Sequence, residues 1–288
     1  MTGREGADDE AFAAERDRLF GLAYRMTGSV ADADDVVQEA WLRWHGAERS
    51  TIESPAAWLT TVTSRLARDR LKSAQRRREA YVGPWLPEPL ADVDPTAAVE
   101  DAETLTLGFL CVLDRLAPRE RAAFLLHDVF GRSFAEVADV LDVGPDNARQ
   151  IASRARRRVR DEHRTDRTPR EDADRLVDAF LAAVLAGDED RLVELLAADV
   201  IAVSDGGPDR HAARRPVVGA DRVIRYFVNL SGRLESSAEV ERCVVNGAPG
   251  LVVRSPIREP LVLGFDVHGD RITAIRTMLN PDKLGHFT

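Results

Sequence analysis

The period of the apolar residues changes once along this chain, and that change limits the fold more than any other feature. Up to about residue 200 the apolar positions recur three and four apart, as in Leu19, Leu22, Ala23 and Met26 of "AERDRLFGLAYRMTGS", which is the spacing of one helix face. Beyond it, short β-branched runs ("VIAVS", "RRPVVG", "AEVERCVV", "GLVVRS", "PLVLGFDV", "RITAIRTML") alternate with turn signals such as "NGAPG" and "HGD", which read as strands and hairpins. A single helical pattern, "ADRVIRYFVNL", lies among them. Helices first and a meander afterwards imply all-α parts followed by an α+β domain with a curved sheet. With 288 residues, the chain has room for more than one core.

Punctuation divides the helical part. Gly28 and Ser29 stop the first helix, and "ADADDVVQEAWLRWHGA" opens with acids in its first turn and ends at Gly46. Ser54 before Pro55 starts "AAWLTTVTSRLARDRLKSAQRRRE". A linker without helical character follows at 81–103, beginning "YVGPWLPEPL", and a second helical unit spans 104–162. Within that unit Ser133 and Glu136 form a capping-box pattern, and a Gly-containing turn precedes Pro145 and the basic helix "PDNARQIASRARRRVRDEH". Two helices joined this way, the second basic, fit a helix-turn-helix. Residues 163–171 read as a polar hinge, and "ADRLVDAFLAAVLAGDEDRLVELLAADV" as two amphipathic helices broken at Gly187.

Charge separates the surfaces. The net charge is −9, yet residues 61–80 carry seven Lys/Arg against two Asp/Glu, and residues 141–171 carry nine against six. Residues 81–103 carry no Lys or Arg and six acids. Two basic patches in an acidic protein suggest nucleic acid docking at two separated points. On the recognition helix Asp146, Asn147, Arg149 and Gln150 stand where side chains reach base edges, with Arg154 and Arg156 behind them for phosphates. On the earlier basic helix Arg65, Arg68, Lys72 and Arg76 suit backbone phosphates, and Trp58 is open to two roles, core packing or base stacking. Asp32, Asp34, Asp35, Gln38 and Glu39, beside Trp41, form an acidic face that phosphates would repel, so a protein partner fits it better than DNA.

No apolar run reaches the length of a membrane span, the acidic N-terminus lacks a signal-peptide core, and the only cysteines are Cys111 and Cys243. These features predict a reduced, cytoplasmic protein without membrane contact, disulfide framework, cofactor or metal site.

The stretches "FGLAYRMTGSVADADDVVQEAWLRW", "WLTTVTSRLARDRL" and "LAPRERAAFLLHDVFGRSFAEVADVLDV" resemble the σ2 and σ4 domains of bacterial extracytoplasmic-function (ECF) sigma factors. The resemblance implies σ2 at 8–80, σ4 at 104–162 and a non-enzymatic subunit that binds core RNA polymerase and promoter DNA. It places the acidic helix on the β′ clamp and σ4 at the β flap. The loop near 46–56 and the following basic helix would then melt and read the −10 element, and the helix from Pro145 would read the −35 element. The "YVGPWLPEPL" linker, "SDGG" at 204–207 and "NPDKL" at 280–284 are similar to the family members that carry a SnoaL-like, cone-shaped C-terminal extension, here 172–288. One departure stands out: the family's "DGGGK" stretch reads "DGGPDRHAARRPVVG" here.

Three prolines make the linker stiff, and its tryptophan and leucines make it adhesive. Trp85, Leu86 and Pro87 are therefore expected to dock on the C-terminal domain near Asp205, Gly206, Gly207, Asn280, Pro281, Asp282, Lys283 and Leu284, and to mediate interdomain regulation. Two other classes stay open at this point. One is a one-component helix-turn-helix regulator with an unknown small ligand in the C-terminal pocket. The other is an enzyme using carboxylate or histidine among Asp205, His211, Asp266 and His268, for which no pairing follows from the sequence.

Overall fold

A computed structural model describes residues 2–91, 102–162 and 168–287. The acidic second half of the expected linker and most of the expected hinge lie outside the described residues. The described residues divide into two compact units, one of residues 2–79, 102–104 and 109–162, the other of 80–91, 105–108 and 168–287.

The first unit is all helical. α1 (Thr2–Thr27) ends where Gly28 turns left-handed at φ 71°, and Ser29 caps α2 (Val30–Gly46) by accepting the Asp32 N–H at 3.3 Å. Ser54 does the same for α3 (Pro55–Arg78), with Pro55 at the first helical position. Leu19, Leu22, Ala23 and Met26 are all buried, as their spacing predicts, and Phe12, Leu19, Val37, Trp44 and Leu59 pack together. α4 (Leu107–Asp114), which belongs to this unit from Phe109 on, and α5 (Pro118–Phe124) follow, and α5 runs on into a π-helical turn, Leu125–Val129. α6 (Phe134–Leu141) has the predicted capping box: the Glu136 carboxylate accepts the Ser133 N–H at 2.8 Å. Asp142, left-handed at φ 55°, closes α6 and aims the chain into α7 (Pro145–Glu162), completing the helix-turn-helix.

A buried ionic knot joins the two helical groups of this unit. Arg121, fully buried, donates through Nε to the Arg25 carbonyl at 2.8 Å and pairs with Asp114 at 3.3 Å. Arg78 pairs with the same Asp114 and donates to the Thr27 carbonyl at 2.5 Å. Arg25, also fully buried, donates to the Thr104 hydroxyl at 2.8 Å. Burial disfavours the charged guanidinium, so Arg121 is pulled down to about 10 despite Asp114.

The second unit is α+β. α8 (Arg170–Ala186) ends at a left-handed Gly187, and α9 (Glu189–Leu195) leads into β1 (Leu196–Asp205). β2 (Val217–Val218), α10 (Ala220–Ser231), β3 (Glu239–Val245), β4 (Ala248–Ser255), β5 (Arg258–His268) and β6 (Arg271–Met278) complete it. The sheet order is β2-β1-β6-β5-β4-β3, with β3 to β6 an antiparallel meander and β1 parallel to β6. Register shifts between β1 and β6, between β4 and β5, and between β5 and β6 bend it, giving the curved sheet of a SnoaL-like cone. The helix expected to run through "AADV" stops at Leu195, because from Leu196 onward β6 offers the backbone partners that a helix would supply internally. Phe180 meets the edges of Phe227 and Phe265, each at 5.4 Å, at the centre of a core that fills the concave face. Among the described residues no helix is long and apolar enough to cross a membrane.

Candidate functional site

The second unit gathers the linker onto one carboxylate. Asp205 ends β1 with its side chain wholly buried, and four donors converge on it. Oδ1 accepts the Tyr81 hydroxyl at 2.6 Å and the Gly207 N–H at 3.1 Å. Oδ2 accepts the Leu86 N–H at 2.8 Å and the Lys283 ammonium at 2.8 Å. Lys283 also donates to the Leu86 carbonyl at 2.6 Å and lies 4.2 Å from the Trp85 ring centre, a cation–π contact. Asn280 donates to the Tyr81 oxygen at 2.9 Å, so that phenol is donor and acceptor at once. Burial, and then the Asp205 carboxylate, push the Tyr81 phenol far above its usual range.

Glycine is required at both positions after Asp205. A Cβ on Gly207 would come within 2.7 Å of the Asn280 side chain, and one on Gly206 within 2.6 Å of the Arg210 carbonyl. The short 3-10 turn Pro281–Lys283 is set by Asn280, whose side chain accepts the Asp282 N–H at 3.1 Å, and Leu284 is buried behind it. Leu86 and Pro87 are buried too.

Sequence reasoning missed two members. Tyr81 signalled itself only as an aromatic in a linker. Asn246, the left-handed first residue of the β3–β4 hairpin, exchanges hydrogen bonds with Leu90 at 2.9 Å in both directions and donates to the Leu105 carbonyl at 2.9 Å. Nothing in "NGAPG" beyond its turn chemistry announces that second role.

The residues considered for catalysis are scattered. Asp205 belongs to the linker dock, Asp266 pairs with Arg276 at 2.6 Å, His268 ends β5, and His211 is exposed on the loop after β1.

In the first unit the acidic face of α2 is partly neutralised from within. Arg70 of α3 donates to Asp32 at 2.6 Å and also holds Asp35, and Arg77 stands 3.7 Å from Asp32. These hydrogen bonds to carboxylates raise the Arg70 guanidinium still further above its ordinary value, Asp32 contributing most. Glu39 pairs with Arg43 at 3.0 Å, while Asp34 and Gln38 are exposed. Trp41 and Leu42 beside them are 39% and 52% exposed, large apolar groups bordered by acids.

On α3, Trp58 is half-buried with its ring 5.6 Å from that of Trp44, so it serves the core. Arg65 donates to the Asp139 carbonyl at 2.7 Å and Arg68 to the Val140 carbonyl at 2.6 Å, the open C-terminal end of α6. Lys72 pairs with Asp69 at 3.2 Å, and Arg76 is exposed. On α7, Asp146 pairs with Arg149 at 2.7 Å and Arg156 with Asp128 at 2.7 Å. Asn147, Gln150, Arg154 and Arg157 form an exposed stripe three and four residues apart.

Comparison with known proteins converges on these parts. Residues 11–77 match Sigma-70 region 2, and residues 107–159 match Sigma-70, region 4. The chain is 41% identical over 286 residues to the ECF RNA polymerase sigma factor SigJ of Mycobacterium tuberculosis, covering 94% of this chain and 91% of the relative. It is 33% identical over 285 residues to the probable ECF RNA polymerase sigma factor SigI of the same species, covering 95% and 93%. The crystal structure of M. tuberculosis SigJ superposes with a TM-score of 0.78 at 38% identity, covering 96% of this chain and 97% of that one. Both sigma regions stand in order on the helical unit and the similarity continues through the sheet domain, so the chain belongs to the ECF RNA polymerase sigma factors.

Proposed function

We propose that this sigma factor engages core RNA polymerase through α2, reads the −10 element with α3 and the loop before it, and reads the −35 element with α7. Its C-terminal domain, residues 172–288, tunes that activity in cis. On α2 the exposed Trp41 and Leu42 among acids suit a basic, partly apolar partner surface such as the β′ clamp. On α7 the stripe from Asn147 to Arg157 presents amides toward the helix start and guanidiniums behind, the order in which bases and then phosphates are met. As in the rest of the family, the chain has no catalysis of its own to supply.

The observation that carries cis regulation is the Asp205 dock. Its four donors include two from the linker and one from Lys283, close to the C-terminus. Because the linker joins the two DNA readers in sequence, holding it limits the spacings they can adopt, and polymerase binding shifts the population toward a released form.

The test is Asp205→Ala in the full chain. Loss of the buried carboxylate frees the linker, and the Leu86 and Leu90 amides lose hydrogen-exchange protection on the order of 100-fold. Promoter-specific transcription with core polymerase then rises several-fold, and a chain ending near residue 279 repeats the effect. A released linker with unchanged transcription overturns cis regulation.

A further inference from the structure

A cavity of about 130 Å³ lies beside the linker dock, lined by Val82, Gly83 and Pro84 on one side and by Ser204 and the loop 206–214 on the other. It is separate from the concave core and belongs wholly to the second unit. We propose that this cavity binds a small oxyanion, a carboxylate or phosphate group carried by a small molecule, and that the bound anion holds the linker down.

Two observations carry this assignment. The first is a hydroxyl pair: Ser204 Oγ and Tyr226 Oη are 3.0 Å apart, and Ser204 is 1% exposed. When Tyr226 donates, the hydrogen of Ser204, a residue of the cavity wall, has no acceptor among the described residues; when Ser204 donates, the spare hydrogen is that of the part-exposed Tyr226. A buried O–H without an acceptor is costly, and a ligand oxygen would satisfy it. The second is charge. Arg210 and Arg214 line the same cavity, and neither has an ion-pair partner among the described residues. His211 adds a further N–H donor, and Asp209 is the one opposing carboxylate in the lining. The nearby Asp205 is already held by Lys283 and three other donors and does not repel an anion as an unpaired carboxylate would. Two guanidiniums and an imidazole around a concave space form a donor set that recognises an oxyanion, and the Ser204 hydroxyl joins it when Tyr226 donates to it. The space exceeds the roughly 30 Å³ share of one water, enough for an ion or the head of a small metabolite.

The substitution of "DGGP" for the family's "DGGGK" falls in this wall, since Pro208 and the arginines after it line the cavity. Because Val82, Gly83 and Pro84 close one side, the site is complete only while the linker is seated. A ligand that needs the seated form stabilises it by mass action. The site needs the seated linker, and its regulatory consequence rests on the function proposed above.

The experiment titrates the full-length protein by calorimetry with inorganic phosphate and, separately, with acetate, each against chloride at matched ionic strength. Saturable uptake of at least one anion is expected. Arg210→Ala combined with Arg214→Ala weakens it by at least about tenfold, and Ser204→Ala weakens it less. Both arginines are without ion-pair partners, so their removal leaves the fold intact, which a thermal melt verifies. The preferred anion tells a phosphate-bearing from a carboxylate-bearing ligand. No saturable uptake of either anion, or uptake undiminished in the double arginine variant, overturns the site. Hydrogen exchange at Leu86 keeps the two ideas apart. A protected Leu86 without anion uptake sinks the anion site alone, whereas anion uptake by Asp205→Ala equal to that of the native chain sinks the coupling to the linker.

Discussion

Helices α3 and α7 carry similar sets of arginines and use them in opposite ways. On α3, Arg65 and Arg68 are committed to the carbonyls at the end of α6, and Arg70 to the acids of α2. On α7, Arg156 and Arg158 pair with Asp128 and Glu120, but the stripe of Asn147, Gln150, Arg154 and Arg157 stays open. The helix proposed to read duplex DNA at −35 is therefore presented, while Arg65 and Arg68 of the one proposed to read −10 are taken up by the first helix of the helix-turn-helix. Under that proposal, covering part of α3 in the free protein would suppress idle binding before polymerase is engaged without blinding the −35 reader. The difference teaches that basic composition marks a candidate DNA surface but does not say whether it is available.

The largest expected effect comes from breaking what holds α3 against α5. Asp114 pairs with both Arg78 and the fully buried Arg121, and without it the two guanidiniums lose the carboxylate they share. Asp114→Ala should cost about 3–5 kcal/mol in urea unfolding of the helical unit. Asp114→Asn, which keeps an acceptor, should cost less. A loss under about 1 kcal/mol for the alanine variant would show that the knot is incidental and that α3 is covered for some other reason.

A gentler change tests the cover itself. Asp142 stands 3.4 Å from Arg68 and 3.9 Å from Arg65 and is largely exposed. Asp142→Asn removes its charge while keeping a residue that tolerates the left-handed turn. The arginines remain, so affinity for single-stranded −10 DNA should rise by up to about fivefold, the range of an exposed pair. Arg68→Ala should lower it instead. Equal losses in both variants would mean that Arg68 serves only the fold.

Much of this was legible in the sequence because its causes are local. Ser29, Ser54 and Ser133 satisfy backbone groups within three residues of themselves, and Asn246-Gly247 makes its hairpin from its own dihedral preferences. The linker's adhesiveness was also readable, since prolines beside a tryptophan contradict a free tether. The Arg25–Arg121–Asp114–Arg78 knot was not, because it joins residues far apart in sequence and each arginine taken alone looks like surface charge. The same holds for Asn246 and Leu90. The α9–β1 boundary failed for a related reason: "LLAADV" fits either period, and only pairing with β6 decides it.

The smallest effect separates neighbours on α7. Arg156 and Arg157 are adjacent, yet Arg156 is tied to Asp128 at 2.7 Å and Arg157 continues the exposed stripe. If α7 meets phosphates as proposed, each free arginine on that stripe releases about one counterion when the holoenzyme binds a promoter. Arg157→Ala should then lower the slope of log affinity against log salt by about 1. Arg156→Ala should change the slope less and the thermal stability of the helix-turn-helix more, since it loses an internal partner. Both are read from promoter binding by the reconstituted holoenzyme across a salt series. Identical slope changes would show that the Asp128 pair opens on binding, making the two arginines equivalent in the complex and confining the contrast with α3 to the free protein.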